Sequence, residues 1–334
     1  MRYREFGRTG WRVSEIGFGG ARIGGLLAQD GGRTASLRTL EAAYDAGINF
    51  YDTADIYSQG ESEILIGKAF RKKRDKVFIA SKGGYCLSPR SKLIQLIKPI
   101  AKPIVQAIGL RRAAIPSTFA GGLSQDFSPG HLRTAAELSL RRLQSDYIDL
   151  YQLHSPSPEE LRGGRLQEAL GELARLKTEG KIREFGIALD AAEHARDCLA
   201  SQGASSLQLP FGLLDLEGLD GVLQALSDRQ FGIIARGCFA GGALKESLSE
   251  ADLRATEPKW ERVLLLRRQF ERFNRAPLEA ALQFSLRVRE ISVSILGMRT
   301  PQHLASNLKY YSSRPLSDEE FQALLAHTAP SASA

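Results

Sequence analysis

Cysteine is scarce in this chain, and its three copies, Cys86, Cys198 and Cys238, are far apart and odd in number. That argues against a disulfide framework and offers no zinc-ligand spacing, so no metal site is expected. The chain also lacks any run of about 18 apolar residues, which excludes a membrane-spanning helix. Residues 1–6 are charged and form no apolar signal segment, so a reducing cytoplasm is the expected setting. Nothing resembling an RNA- or DNA-binding motif is present, and the basic residues are dispersed. The net charge of +7 over 334 residues therefore does not point to nucleic acid, although it suits an anionic ligand such as a nucleotide. No linker or composition shift divides the chain, so one domain over 1–334 is expected, with a frayed tail at 328–334.

What the chain does contain is a repeating rhythm. Residues 2–15 alternate short apolar and polar positions around Arg8-Thr9-Gly10, which reads as a β-hairpin. Short apolar strands follow at 16–19, 48–52, 77–81, 147–153, 182–188, 207–209, 232–235 and 291–296. Helical patterns separate them at 34–46, 61–71, 129–143, 165–179, 191–201, 218–227, 277–288 and 301–310, with a terminal helix at 317–327. In the second helix Ile64, Leu65 and Ala69 are expected to be buried. Eight strands, each followed by a helix, predict an α/β fold: a (β/α)8 TIM barrel carrying an N-terminal β-hairpin.

One segment breaks the rhythm. The stretch after the third strand, about 86–128, is far longer than a usual βα loop. Leu93, Ile94, Leu96, Ile97, Ile100, Ile104, Val105 and Ile108 recur in it at near-helical spacing, Arg and Lys give it positive charge, and no acid appears before Asp126. It reads as a lid over the barrel mouth, as a subunit contact or as a membrane-surface helix. Pro99, Pro103 and Pro116 argue against one long helix.

Barrel geometry puts the C-terminal ends of all strands on one rim. Asp52, Lys82 and His154 end the second, third and fourth strands, and Tyr57 follows Asp52 by five residues, so the four are expected to converge. Free phenol, with a pKa of about 10, is a poor acid near neutrality. A nearby ammonium is expected to lower that value and make Tyr57 a proton donor to a developing alkoxide. Asp52 would hold Lys82, and His154 would orient the reacting oxygen.

Tyr51-Asp52-Thr53-Ala54-Asp55-Ile56-Tyr57 with Gly60-Glu61-Ser62-Glu63 resembles the signature of the aldo-keto reductases. Ala80-Ser81-Lys82-Gly83-Gly84 and Asp146-Tyr147-Ile148-Asp149-Leu150-Tyr151-Gln152-Leu153-His154-Ser155-Pro156 are similar to two further motifs, and Gly180-Lys181-Ile182-Arg183-Glu184-Phe185-Gly186-Ile187 to a fourth. The likeness runs from Phe6-Gly7-Arg8-Thr9-Gly10 to Gly297-Met298-Arg299-Thr300-Pro301, nearly the whole chain. It implies a barrel that binds a nicotinamide cofactor without a Rossmann fold, usually NADPH/NADP+ with NADH possible. It also implies metal-free hydride transfer to an aldehyde or ketone, or the reverse from an alcohol or sugar hemiacetal. Gly17-Phe18-Gly19-Gly20-Ala21 resembles members acting on aldoses.

Carried over residue by residue, the resemblance makes Asp52, Tyr57, Lys82 and His154 the catalytic tetrad. Gln208 matches the glutamine that holds the nicotinamide amide. Arg236 stands where many members stack an aromatic ring on nicotinamide, and a guanidinium plane can stack there too. Gly237, Cys238, Phe239 and Gly241 match the loop around the pyrophosphate, and Arg299 a contact to the adenosine 2′-phosphate. Gly297, His303 and Asn307 complete the expected cofactor set. Arg22, Ile23, Tyr85 and Trp260 are candidate substrate walls.

The family's usual Ser-Asn pair at the end of the fifth strand is replaced by Ala188-Leu189. That removes two carboxamide contacts worth about 1 kcal/mol each. A monomer or small homo-oligomer with a small carbonyl or sugar substrate is expected. A non-catalytic cofactor-sensing barrel acting as a regulatory subunit is the alternative.

Overall fold

The structure is a computed structural model, described here over residues 1–24, 32–87 and 123–327. The apolar spacing at 93–108 and the tail at 328–334 lie outside the described residues. So do the lid, subunit-contact and membrane-helix readings that rest on that spacing.

Three strands open the chain: β1 (Tyr3–Glu5), β2 (Arg12–Ser14) and β3 (Ile16–Gly19). Then come β4 (Phe50–Asp52), β5 (Phe78–Gly83), β6 (Tyr85–Leu87) and β7 (Leu123–Gln125). The last five are β8 (Ile148–His154), β9 (Ile182–Ala188), β10 (Ser206–Pro210), β11 (Gly232–Arg236) and β12 (Ile291–Gly297). β3, β4, β5, β8, β9, β10, β11 and β12 pair in parallel in that order, and β12 returns to β3 to close an eight-stranded barrel. This is a (β/α)8 barrel.

β1 and β2 form the antiparallel hairpin, turned at Gly10 with φ 73°. The hairpin plugs one end of the barrel. Phe6 packs on Phe50 and Trp11, and Trp11 on Phe78, with ring centroids 5.1–5.7 Å apart. Gly232 cannot carry a side chain here, because a Cβ would stand 2.4 Å from the Phe6 ring. Phe6, Phe50, Ala80, Leu150, Ile234 and Val293 fill the interior above the plug. A strand's side chains alternate, so each inward residue at that level has an inward neighbour two positions on. Phe50 is thus followed by Asp52, Ala80 by Lys82, and Leu150 by Gln152 and His154. The plug therefore leaves the opposite rim to polar side chains.

The second large cluster fills the space between barrel and helices, with Tyr51 packed on Phe18 and Phe70. In the helix Glu61–Phe70 the buried face differs from the expected one: Ile64 is 40% exposed, Ala69 only partly covered, and Ser62, Glu63, Ile66 and Phe70 are buried beside Leu65. The cause is close packing through Gly67, where a Cβ would meet the Leu143 carbonyl oxygen at 2.3 Å. The buried polar groups are satisfied, Ser62 by the Gly20 carbonyl and Glu63 by Ser81 and Arg142.

Three further boundaries move. Lys82 lies inside β5 rather than at its end. The segment after β9 is a 3-10 helix, Ala192–Ala200. The helix expected from 218 begins only at Val222, because Gly218 and Gly221 adopt φ values of 75° and 68° that no helix continues. The long insertion leaves and re-enters the barrel through the antiparallel β6–β7 ladder. Among the described residues no helix is long and apolar enough to cross a membrane.

Candidate active site

Asp52 and Lys82 meet at the open rim. Lys82 Nζ donates to Asp52 Oδ1 at 2.6 Å and to the Thr53 carbonyl at 2.8 Å, and the lysine side chain is only 1% exposed. From β10, across the barrel, Gln208 Nε2 donates to the same Asp52 oxygen at 2.8 Å. Burial works against the Lys82 cation, but Asp52 and Tyr57 outweigh it and hold the ammonium above its ordinary value. The lysine is thus a fixed, dry positive charge.

Tyr57 opens a short 3-10 turn, Tyr57–Gly60, in which Ser58, Gln59 and Gly60 all take positive φ, at 50°, 64° and 86°. For two non-glycine residues in succession this backbone is costly and must be held by its surroundings. Ser58 Oγ donates to the Ile23 carbonyl at 2.7 Å, and the Asp55 N–H to the Lys82 carbonyl at 3.1 Å. The turn carries Tyr57 back over Lys82, whose Nζ lies 5.0 Å from the ring centroid. Burial pushes the phenol above its ordinary value, and the Lys82 ammonium pulls it back only in part. The expected net lowering is therefore overturned: desolvation wins, an effect that residue spacing does not show.

His154 ends β8 and presents its ring edge to Tyr57, with centroids 5.7 Å apart, and to Tyr85 at 4.8 Å. Burial, with Lys82 and Arg236 adding to it, depresses the imidazole to about 3. It is therefore neutral at physiological pH and carries one N–H. Its buried Nδ1 finds no partner among the described residues. Gln125 Nε2 fixes the backbone here by donating to the carbonyls of His154 and Ser155.

Beside this cluster a cavity of about 440 Å³ opens between the ends of β9, β10 and β11, lined in part by Asp190, Pro210, Arg236, Gly237 and Gly241. Added Cβ atoms on Gly237, Gly241 or Gly297 would touch nothing within 4 Å, so the rim leaves room for a ligand against bare backbone. The lining is rich in carboxylates, but Glu217 is paired with Lys259 at 2.6 Å and Arg262 at 2.8 Å. The bare backbone at these glycines leaves room for a phosphate-bearing ligand, whereas the carboxylates of the lining do not favour one.

The carboxamide end is different. Ala188 and Leu189 are buried, Leu189 N–H is taken by the Gln208 carbonyl, and the Gln208 amide group faces Asp52. Arg236 donates to the Leu189 carbonyl at 2.7 Å and to Asp190 at 3.0 Å, which pins its guanidinium plane over the strand end where the polar pair is missing.

The remaining expected residues are distributed less evenly. Cys238 is turned into the core, where burial pushes its thiol up to about 12, and Phe239 packs against the core beside it. Asn307 is buried and donates to the Gly297 carbonyl, while Arg299 and His303 are exposed at the start of the helix Pro301–Tyr311. Tyr85 reaches the tetrad through its contact with His154, and Ile23 sits under the Tyr57 turn, but Arg22 is exposed. Trp260 packs beneath Arg254, 4.2 Å from its ring centroid, and lines neither this cavity nor the smaller one at Gln125–Ser128.

Asp55 has no sequence signal beyond its motif, yet burial and then Glu63 push its carboxyl up to about 7 beside the Lys82 strand. Backbone acceptors such as the Thr53 carbonyl leave no trace in residue type at all.

The aldo/keto reductase family model matches residues 15–329. The chain belongs to the aldo/keto reductase family. It is an oxidoreductase family whose members use nicotinamide cofactors. An uncharacterised oxidoreductase YqkF of Bacillus subtilis is 27% identical over 98% of this chain and 97% of its own. A D-threo-aldose 1-dehydrogenase from a Pseudomonas species is 27% identical over 90% of each chain. Among solved aldo-keto reductases, the holo form of AKR11C1 from Bacillus halodurans superposes with a TM-score of 0.77. It is 25% identical, over 99% of this chain and 98% of that one.

Proposed function

We propose that this aldo-keto reductase, acting as one catalytic domain over residues 1–334, interconverts a carbonyl and an alcohol with NADPH/NADP+ and Tyr57 as acid and base. The observation that carries the reading is the dry Lys82–Asp52 pair lying under Tyr57 and facing a neutral His154. A bound nicotinamide cofactor would supply or accept the hydride; Arg236 would hold its nicotinamide end, Gly237, Gly241, Gly297 and Asn307 would frame the rest, and Arg299 and His303 would lie toward the adenosine.

The residues' own work follows from their charges. His154 donates its single N–H to the carbonyl oxygen and orients it. Tyr57 donates its proton to the same oxygen as negative charge develops, and Lys82 stabilises the phenolate left behind. Asp52 keeps Lys82 charged and in place. In the oxidative direction the Tyr57 phenolate removes the hydroxyl proton. Likeness to a D-threo-aldose 1-dehydrogenase supports a sugar hemiacetal as one substrate class, beside aldehydes and ketones. A cytoplasmic setting fits such a substrate. The apolar Ala188-Leu189 end supports the competing reading, a barrel that senses the cofactor without turnover. Fluorescence titration with NADPH and NADH, then a carbonyl and sugar panel, separates the two, since binding without turnover selects the sensor.

The raised Tyr57 value fixes the sign of the pH dependence. Reduction needs the phenol, which is fully present below its pKa, so the rate is flat through neutrality and falls only on the alkaline side of about 10. Oxidation needs the phenolate and rises with pH over the same range. His154, at about 3, adds no limb near neutrality. Rate profiles measured in both directions check this, and a Tyr57-dependent reductive limb at roughly pH 6–8 contradicts it.

Arg236→Ala removes a guanidinium tied to both Leu189 and Asp190. A single charge-assisted bond from that guanidinium to the cofactor is worth about 1.5–3 kcal/mol, so its loss raises cofactor Kd about 10- to 100-fold in a fluorescence titration. An unchanged Kd removes Arg236 from the cofactor site.

A further inference from the structure

Cys86, Asp126 and His131 bring a thiol, a carboxylate and an imidazole together, with ligand atoms within 4.8 Å of one another. We propose that these three side chains bind a borderline-soft divalent metal ion of the Zn2+ class, at a site separate from the tetrad. Cys86 lies on β6, Asp126 just past β7, and His131 in the first turn of the helix Pro129–Leu143.

The three ligand atoms are close enough together for one ion to reach them all. Cys86 Sγ is 3.6 Å from each ring nitrogen of His131. A zinc ion with S at about 2.3 Å and N at about 2.0–2.1 Å, at a tetrahedral angle, places sulfur and nitrogen about 3.6 Å apart. Equal distances place the sulfur between the two lone-pair directions, so metal binding requires the imidazole to turn about its Cβ–Cγ bond and aim one nitrogen at the ion.

The frame that carries the ligands is held on all sides. Cys86 is in register with Ser124, and the Asp126 N–H donates to the Gly84 carbonyl at 2.8 Å. Asp126 Oδ1 accepts the Ser128 N–H at 2.8 Å, and Ser128 caps the helix by accepting from the His131 N–H. Pro129 at the first helical position fixes the chain between the two.

Charge and softness choose the ion. A thiolate and a carboxylate neutralise a divalent cation, and together they outweigh the roughly half positive charge of the helix start. Sulfur and imidazole favour Zn2+, and disfavour Mg2+ and Ca2+, which seek oxygen. Residues 88–122, the chain between the two strands, contain no cysteine, histidine, aspartate or glutamate. The protein therefore supplies three ligands, and water completes the tetrahedron. Cys86 and His131 are half-buried and Asp126 is exposed, so an ion reaches the site from solvent.

Tyr85, one residue before Cys86, packs against His154. A metal at this position therefore fastens the base of the insertion and the tyrosine wall beside the tetrad. The cysteine pattern gives no hint of it, because two strands and a helix start, split by the insertion, provide the ligands.

The test uses the full-length protein after treatment with a chelator, titrated with Co2+ and Zn2+ and with Mg2+ as the hard control. One ion per chain is expected, with a thiolate-to-cobalt charge-transfer band that Zn2+ removes and Mg2+ does not. Cys86→Ser abolishes the band, and His131→Gln weakens Co2+ affinity at least about 10- to 100-fold, the loss typical when even a supporting partner is removed. In the unaltered chain, saturating Zn2+ blocks alkylation of Cys86 by iodoacetamide, read by peptide mass spectrometry, which decides the matter if a variant does not fold. Absence of a stoichiometric band, a band that survives Cys86→Ser, or alkylation of Cys86 at the same rate with and without Zn2+ overturns the site.

Discussion

Replacing Tyr57 with phenylalanine lowers kcat by about 10²–10⁴-fold in both directions, the usual weight of a positioned proton donor or acceptor. Cofactor affinity stays within about twofold, because the ring is kept and only the hydroxyl goes. The selectivity of the loss is what matters. Tyr57 is followed by three consecutive left-handed residues braced by Ser58 on Ile23, and the phenol hydroxyl takes no part in that brace. Tyr57→Phe thus retains the fold of the turn, and any loss of rate reports the proton. A variant that keeps its rate with an identified substrate removes Tyr57 from the chemistry. One that loses cofactor binding in parallel makes it a wall instead.

Lys82→Met has the second large effect, on stability as well as rate. The variant leaves Asp52, 4% exposed, inside the barrel without its cation. Breaking a buried pair by removing one partner costs about 3–5 kcal/mol. The Gln208 amide remains bonded to Asp52, so the loss falls toward the lower end. Adding Asp52→Asn to Lys82→Met removes the stranded charge and returns most of the stability, while kcat stays low. Urea unfolding of the two single variants and the double variant measures the coupling directly. A double variant no more stable than Lys82→Met rules out charge stranding as the cause. The sign with pH also follows. Lys82 is held above its ordinary value in the folded state, so its contribution is complete below about 10.4 and is lost only as pH rises through the folded value.

Much of this is legible in the sequence, for a physical reason. Period-two alternation and eight apolar strands are enough to close a barrel and to put Asp52, Lys82 and His154 on one rim, and the structure brings all three together with Tyr57. What residue spacing cannot carry is burial. The phenol of Tyr57 is pushed up rather than down, because desolvation outweighs the ammonium beside it. Backbone acceptors are equally silent. The resemblance puts a stacking plane at Arg236, and its anchor on the Leu189 carbonyl shows only in three dimensions. The resemblance assigns Gln208 to the cofactor, and its added bond from Nε2 to Asp52 shows only in three dimensions. Helical periodicity points Ile64 inward, but the close approach at Gly67 chooses the buried face, through a contact with residues far along the chain. Trp260 follows β11 in sequence, which suggests a place near the substrate, but it packs under Arg254.

The most direct test of the central claim follows the hydrogen itself. The protein is incubated with NADPH carrying deuterium at the transferable position of nicotinamide C4, together with an aldehyde or ketone found active in the panel, and the product is read by mass spectrometry. One deuterium is expected on the former carbonyl carbon with unaltered protein, and a strongly reduced yield with Tyr57→Phe. Tight NADPH binding with no labelled alcohol from any member of the panel contradicts the claim.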